Sequence, residues 1–331
     1  MLRSNFGRCA LFLALASALP ALAAETPVSA AAGVTAAPVP PAEPAAPMPA
    51  SPTDADLQVA LARSSFSPGE IDGRGGVNTR KALRAFQGSR SLVVTGSSSD
   101  ETWESLWTAS GGPTLVSYTI TAEDAAGPYL ATIPEAMDEK AKLDHLGYTS
   151  LLEMLGERFQ AAPDFLRRIN QGASFAAGDE VKVPNTRLQP VPVEAGDVRV
   201  VVSGKAGTLT VDRDGTVLFF APVTSGSAHD PLPVGDWKVK GVARDPSYSY
   251  NPDRFWDADA TDAKATIPPG PNGPVGVVWI DLDKPNYGLH GTPEPRAIGR
   301  GTSHGCVRLT NWDATTVARL VKPGTPVSFR P

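Results

Sequence analysis

The sequence predicts a multidomain chain: a small three-helix domain, an α+β middle module, and a mainly β C-terminal domain of sandwich or barrel type. Three observations carry this expectation. At 331 residues the chain exceeds the usual size of one domain. Its apolar residues recur at helical spacing between Asp54 and Ser110, then as short alternating runs after Asp197. An Ala- and Pro-rich stretch sets the first periodic segment apart from an apolar N-terminus. A hydrophobic content of 41% is enough to build real cores.

The N-terminus carries Arg3 and Arg8, an apolar run from Cys9 to Leu19, the Pro20 break, and small residues to Ala24. That is the layout of a secretory signal peptide over 1–24, and export to the periplasm or cell envelope is expected. The run is too short to serve as an anchor, so no membrane span is expected in the mature chain. Cleavage would remove Cys9 and leave Cys306 as the single thiol, which excludes an internal disulfide. From 25 to 53, prolines at 27, 38, 40, 41, 44, 47, 49 and 52 predict an extended spacer without a core. The formal net charge of −5 gives no sign of a nucleic-acid partner.

Over 54–110, three apolar clusters, Leu57 to Leu61, Val77 to Phe86 and Glu101 to Trp107, are separated by Pro68-Gly69 and Thr95-Gly96. Three short helices follow. Over 115–190 the pattern reads strand (Tyr118–Thr121), helix (Leu151–Phe159), helix (Pro163–Ile169) and strand (Asp179–Val183). From 196 to 330, strands are predicted at Val198–Val202, Leu209–Val211, Val217–Phe220, Trp237–Val242, Val275–Leu282 and Val327–Phe329. Arg213-Asp214-Gly215 is the turn of a hairpin. One helix interrupts the strands: Thr310 and Asp313 have capping-box spacing, and it should run to about Val321.

The chemistry concentrates between Leu289 and Leu309, which holds Cys306 and two of the four histidines, His290 and His304. A lone cysteine is commonly a small buried hydrophobe. Here it sits in a polar, Gly-punctuated segment where backbone N–H groups can form an oxyanion hole and a helix begins just beyond. His304 lies two residues before Cys306, where an extended backbone would point both side chains to one face. Arg308, with Arg300 and Arg296 in the preceding loop, offers carboxylate-binding guanidinium groups. Ser303 and Gly305 read as shaping the loop. Asp245 to Asp262 form a long insert that suits a lid or a solvated loop. No calcium-loop spacing occurs, and neither a metal nor a cofactor is expected.

His290-Gly291-Thr292 followed by Ser303-His304-Gly305-Cys306-Val307-Arg308-Leu309 resembles the signature of the L,D-transpeptidase (YkuD-type) catalytic domain. The resemblance implies a mainly β YkuD-like fold and peptidoglycan stem peptides as substrates. It implies Cys306 as nucleophile, His290 as general acid and base with the Gly291 carbonyl orienting its ring, and His304 in support. Acyl transfer would go to an amine: a second stem, a lipoprotein lysine or a free D-amino acid. Leu57-Gln58, Gly69, Ile71-Asp72-Gly73, Thr79, Ala82-Leu83, Phe86-Gln87, Gly96 and Thr102 resemble a peptidoglycan-binding domain. Phe165-Leu166, Asn170, Gly178-Asp179 and Val181 to Pro184 resemble a LysM glycan-binding module, from which the insert Ala122 to Tyr148 departs.

Two other functions fit the same residues. A wall-peptide cysteine hydrolase would resolve the thioester with water, although wall peptidases of the Cys-His type place Cys before His, the reverse of His290 and Cys306. A wall-binding scaffold would need no intact signature.

Overall fold

The computed structural model describes residues 47–186, 197–256, 258–259 and 261–331. The expected signal peptide and most of the expected spacer lie outside the described residues. Three helices come first: α1 (Asp54–Arg63), α2 (Val77–Ser89) and α3 (Asp100–Ser110). Thr53 caps α1 in a reciprocal box with Asp56, and Ser99 caps α3. Next come β1 (Leu115–Thr119), the short helices α4 (Ala122–Ala126) and α5 (Met137–Lys140), α6 (Leu151–Arg158), α7 (Pro163–Ile169) and β2 (Glu180–Pro184). Strands β1 and β2 pair antiparallel in a sheet of their own. This is the strand, helix, helix, strand order read from the sequence, with the insert adding α4 and α5.

The C-terminal region contains β3 (Arg199–Ser203), β4 (Thr208–Arg213), β5 (Thr216–Pro222), β6 (Thr224–Ser225), β7 (Gly235–Arg244), β8 (Tyr248–Tyr250) and β9 (Ala265–Ile267). It continues with β10 (Val278–Leu282), β11 (Gly288–His290), β12 (Val307–Arg308), α8 (Asn311–Leu320) and β13 (Pro326–Arg330). Nine strands form one mixed sheet in the order β5-β4-β3-β13-β7-β10-β11-β12-β6. The strands at its two ends, β5 and β6, are joined through Val223 alone, so the sheet must curl back toward itself into a near-barrel. Val200, Val202, Leu209, Val211, Ile280, Leu289, Val307, Val327 and Phe329 fill its core, and α8 adds Ala314 and Val317.

Each strand expected from the sequence is present, with some ends shifted: β1 ends at Thr119, β2 starts at Glu180 and β3 at Arg199, and Val275 to Val277 form a turn, so that β10 starts at Val278. Asp214 and Gly215 have φ of 50° and 82°, as the predicted hairpin turn requires. Thr310 accepts the Asp313 N–H as N-cap of α8. The Asp313 carboxylate is taken by Ser67 Oγ at 2.9 Å, a partner from the helical region. The helix ends at Leu320.

The three expected modules share their cores. Phe66 bridges to Phe220 of β5, and Phe220 packs among Leu57, Leu61 and Phe86 of the helical region. Val59 of α1 and Ile71 pack among Leu155, Leu166 and Val183 of the middle region. The described residues form one compact unit. The reason is α1, whose opposite sides enter two different cores.

Candidate active site

Strand β11 brings His290 to its end, and β12 begins immediately after Cys306. The two strands pair in parallel, His290 beside Arg308 and Leu289 beside Val307, so the base candidate sits on the strand next to the one that Cys306 leads into. The Leu309 N–H donates to the His290 carbonyl at 2.8 Å and locks the register. On the other side β12 pairs antiparallel with β6, so the cysteine segment is held from both edges.

His290 is 5% exposed, and its Nδ1 lies 2.7 Å from the Gly291 carbonyl oxygen. A carbonyl can only accept, so Nδ1 carries the proton and Nε2 keeps its lone pair. Trp279 stacks on the ring at 5.5 Å between centroids. Burial, with a smaller push from the Arg308 charge, lowers the His290 pKa to about 4 against the opposing effect of the Gly291 hydrogen bond. The imidazole is therefore neutral at neutral pH. Gly291 has a packing reason to be glycine: a Cβ there would sit 2.1 Å from Oδ1 of Asn311. Asn311 accepts from the Val277 N–H and donates to the Pro271 carbonyl, fixing the turns that lead into β10.

Burial raises the Cys306 thiol above its ordinary pKa, opposed by a hydrogen bond from the Gly288 backbone and by the Arg308 charge. The resting pair is thus a neutral thiol and a neutral imidazole. Ser303 Oγ donates to the Cys306 carbonyl at 2.6 Å and accepts from the Gly226 N–H at 2.7 Å. The Ser303 N–H donates to the Gly226 carbonyl. Ser303 therefore ties the cysteine turn to Gly226, just beyond β6.

Gly305 has φ of 94°, and a Cβ there would meet the Tyr287 ring at 2.8 Å. This bend replaces the extended backbone expected between His304 and Cys306, so the same-face argument for His304 does not apply. The His304 ring instead meets Phe255 edge-on at 5.1 Å and Trp256 at 6.2 Å. Arg308 stands where its charge acts on His290, Cys306 and Tyr248. Arg300 lies elsewhere: with Arg296 it lines a pocket against Gln58, Glu70 and Asp72 of the helical region. Arg296 also lies 3.3 Å from Asp164.

Four site neighbours were not singled out as such from the sequence: Trp279, Tyr287, Asn311 and Phe255. Their only sequence signal was aromatic or amide identity near a Gly-rich turn. Among the described residues, no group of three or more His, Cys, Asp or Glu side chains could hold a metal ion, and no helix is long and apolar enough to cross a membrane.

Comparison with known proteins agrees with the signature. Residues 197–328 match the L,D-transpeptidase catalytic domain family YkuD, and residues 52–106 match the peptidoglycan-binding domain family. A Bacillus subtilis protein assigned as the L,D-transpeptidase YkuD is 30% identical over 157 residues, 47% of this chain and 78% of that protein. Its Bacillus licheniformis counterpart is 29% identical over 185 residues, 54% of this chain and 93% of that protein. Among solved structures, an L,D-transpeptidase from Mycobacterium smegmatis aligns at 24% identity with a TM-score of 0.34. That alignment covers 41% of this chain and 59% of the other, less than two thirds of its length. With a matching relative covered over more than two thirds of its length and the catalytic signature intact, this chain is an enzyme of the YkuD-type L,D-transpeptidase family.

Proposed function

We propose that the enzyme is an exported peptidoglycan L,D-transpeptidase in which Cys306 is the nucleophile and His290 the general acid and base. The observation that carries this reading is the buried, neutral His290, tied by Nδ1 to Gly291, on the strand beside Cys306. The donor is a tetrapeptide stem, attacked at the bond between its third residue and the terminal D-Ala. Sγ adds to the carbonyl carbon as the thiol proton passes to Nε2 of His290. Backbone N–H groups of the Gly305-Cys306 turn face the developing oxyanion. The amide C–N bond then breaks, His290 returns the proton to the departing D-Ala amine, and a thioester remains on Cys306.

An amine acceptor attacks that thioester, gives its proton to His290, and leaves with the acyl group as the thiol is regenerated. The acceptor is a second stem, a lipoprotein lysine or a D-amino acid. Arg308 is suited to the donor carboxylate, and His304 shapes the wall of the site rather than moving the proton. The helical domain, and the middle region as a LysM-like module, hold the enzyme to peptidoglycan glycan in the periplasm or envelope.

Incubation with a disaccharide tetrapeptide and an amine acceptor tests this. Release of D-Ala with amine-linked product is expected. Release with hydrolysed product alone would make the enzyme an L,D-carboxypeptidase instead.

A further inference from the structure

The segment from Ala122 to Tyr148, which set the middle region apart from a LysM pattern, ends beside the active site. Strands β8 and β9 form a two-stranded hairpin outside the nine-stranded sheet. Between them the chain carries Phe255 and Trp256, the rings that meet His304. Tyr248 at its start is half-buried and near enough to Cys306 and Arg308 to couple to them electrostatically. An isolated two-stranded hairpin is marginal in water, so something else must hold this one in place.

The middle region supplies the support. Leu146 is fully buried against Tyr250 and Ile267 of the hairpin, with Met137 and Leu143 packed around them. The Leu146 N–H donates to the Pro269 carbonyl at 2.8 Å, and the Asn272 N–H donates to the Leu146 carbonyl at 3.0 Å. Asn272 Nδ2 donates to the Gly147 carbonyl at 2.9 Å and to Glu153 at 2.6 Å. Gly270, at φ of 141°, would place a Cβ 2.2 Å from the Leu146 carbonyl oxygen, so the seat has room for backbone only. Apolar packing and a paired backbone therefore fasten residues 133–147 to both the hairpin and the loop that follows it.

We propose that this strut is a positioning element for the transpeptidase site: it holds β8–β9 so that Phe255 and Trp256 wall the donor subsite at His304 and select for the peptidoglycan stem. The middle region thereby serves catalysis through Leu146, seated on Asn272 of the C-terminal region, whether or not it also reads glycan. The inference rests on the proposed role of Cys306 for its kinetic arm alone.

The test compares the full-length wild type with Leu146→Ser and Asn272→Ala; the second removes only a bridging side chain and keeps the test open if the first fails to fold. Hydrogen exchange is read over residues 248–267 and over the nine-stranded sheet, with donor turnover and acylation by a small carbapenem measured in parallel. Exchange in 248–267 should rise about tenfold with the sheet unchanged. Turnover of the disaccharide tetrapeptide should fall on the order of tenfold while carbapenem acylation stays within about twofold. Unchanged exchange over 248–267 in a folded variant, or an equal loss on both acyl donors, would overturn the proposal. Should wild type take no adduct on Cys306, the catalytic reading fails, and the exchange comparison still decides whether the strut holds the hairpin.

Discussion

Nδ1 of His290 lies 2.7 Å from the Gly291 carbonyl oxygen, so a backbone group does the orienting that a carboxylate does in a Ser-His-Asp triad. A carbonyl carries no full charge to stabilise an imidazolium, and burial pulls the pKa of this histidine to about 4. The acid limb of the pH profile for acylation should therefore fall near 4 instead of the ordinary histidine value of about 6.5. Stopped-flow acylation by a carbapenem across pH reads this directly; a limb at the ordinary value would contradict a buried neutral base.

Replacing His290 by Ala should cut acylation by about a hundredfold or more, the usual contribution of a positioned general base. His304→Gln should cost far less, since the ring of His304 contacts Phe255 and Trp256 and a bend at Gly305 separates it from Cys306. Rates measured on folded variants with matched circular dichroism give the comparison. A larger effect at His304 would move the base assignment to that residue.

Ser303→Ala should destabilise the protein by about 1–3 kcal/mol, because it leaves the Gly226 N–H and the Cys306 carbonyl without their shared partner. The cysteine turn should loosen with it, so acylation slows while substrate KM changes little. Chemical denaturation together with single-turnover kinetics separates the two effects.

Gly305→Ala should be harsher than a loop substitution elsewhere. The added Cβ meets Tyr287 at 2.8 Å, and the backbone sits at φ of 94°. Pairing it with Tyr287→Ala should recover the steric part of the loss and leave the conformational part. Full recovery in the double variant would show that the positive φ costs nothing.

Two acids, the buried Asp313 and the half-buried Glu157, lie where the accessory regions meet α8. Burial raises Asp313, bonded to Ser67, to about 7, and raises Glu157, bonded to Asn311, to about 8. Folded-state values above the unfolded ones mean that the stability they give is full below about pH 4 and is lost as pH rises through 7 to 8. Melting temperatures at about pH 5 and about pH 8.5 should show a drop that Asp313→Asn and Glu157→Gln each reduce. An undiminished drop in both variants would locate the titration elsewhere.

Much of this was legible in the sequence because the signals were local. The order of His290, Ser303, His304, Cys306 and Arg308 carried the resemblance to the family, and alternation gave the long strands between Arg199 and Arg330. Strands β6, β11 and β12 have two or three residues, too few to show a period of two, yet they pair His290 with Arg308 and so bring its strand alongside the one that follows Cys306. The capping box at Thr310 was half right, because Asp313 faces Ser67, distant in sequence.

The strut was invisible for the same reason. Met137, Leu143 and Leu146 follow neither helical nor strand spacing, and their partners Tyr250 and Ile267 lie more than a hundred residues on. Spacing reports which side of an element is buried, and says nothing about which distant element buries it. The shared use of α1 by two cores was hidden likewise: the apolar run from Leu57 to Leu61 reads as one helix with a core, without showing that there are two.

The most direct test of the central claim is the intact mass of the processed protein after incubation with a carbapenem, in wild type and in Cys306→Ala, followed by peptide mapping. One adduct per wild-type chain, mapped to Cys306 and absent from a folded Cys306→Ala variant, is the predicted result. An adduct that persists in Cys306→Ala, or none on folded wild type, would contradict Cys306 as the nucleophile.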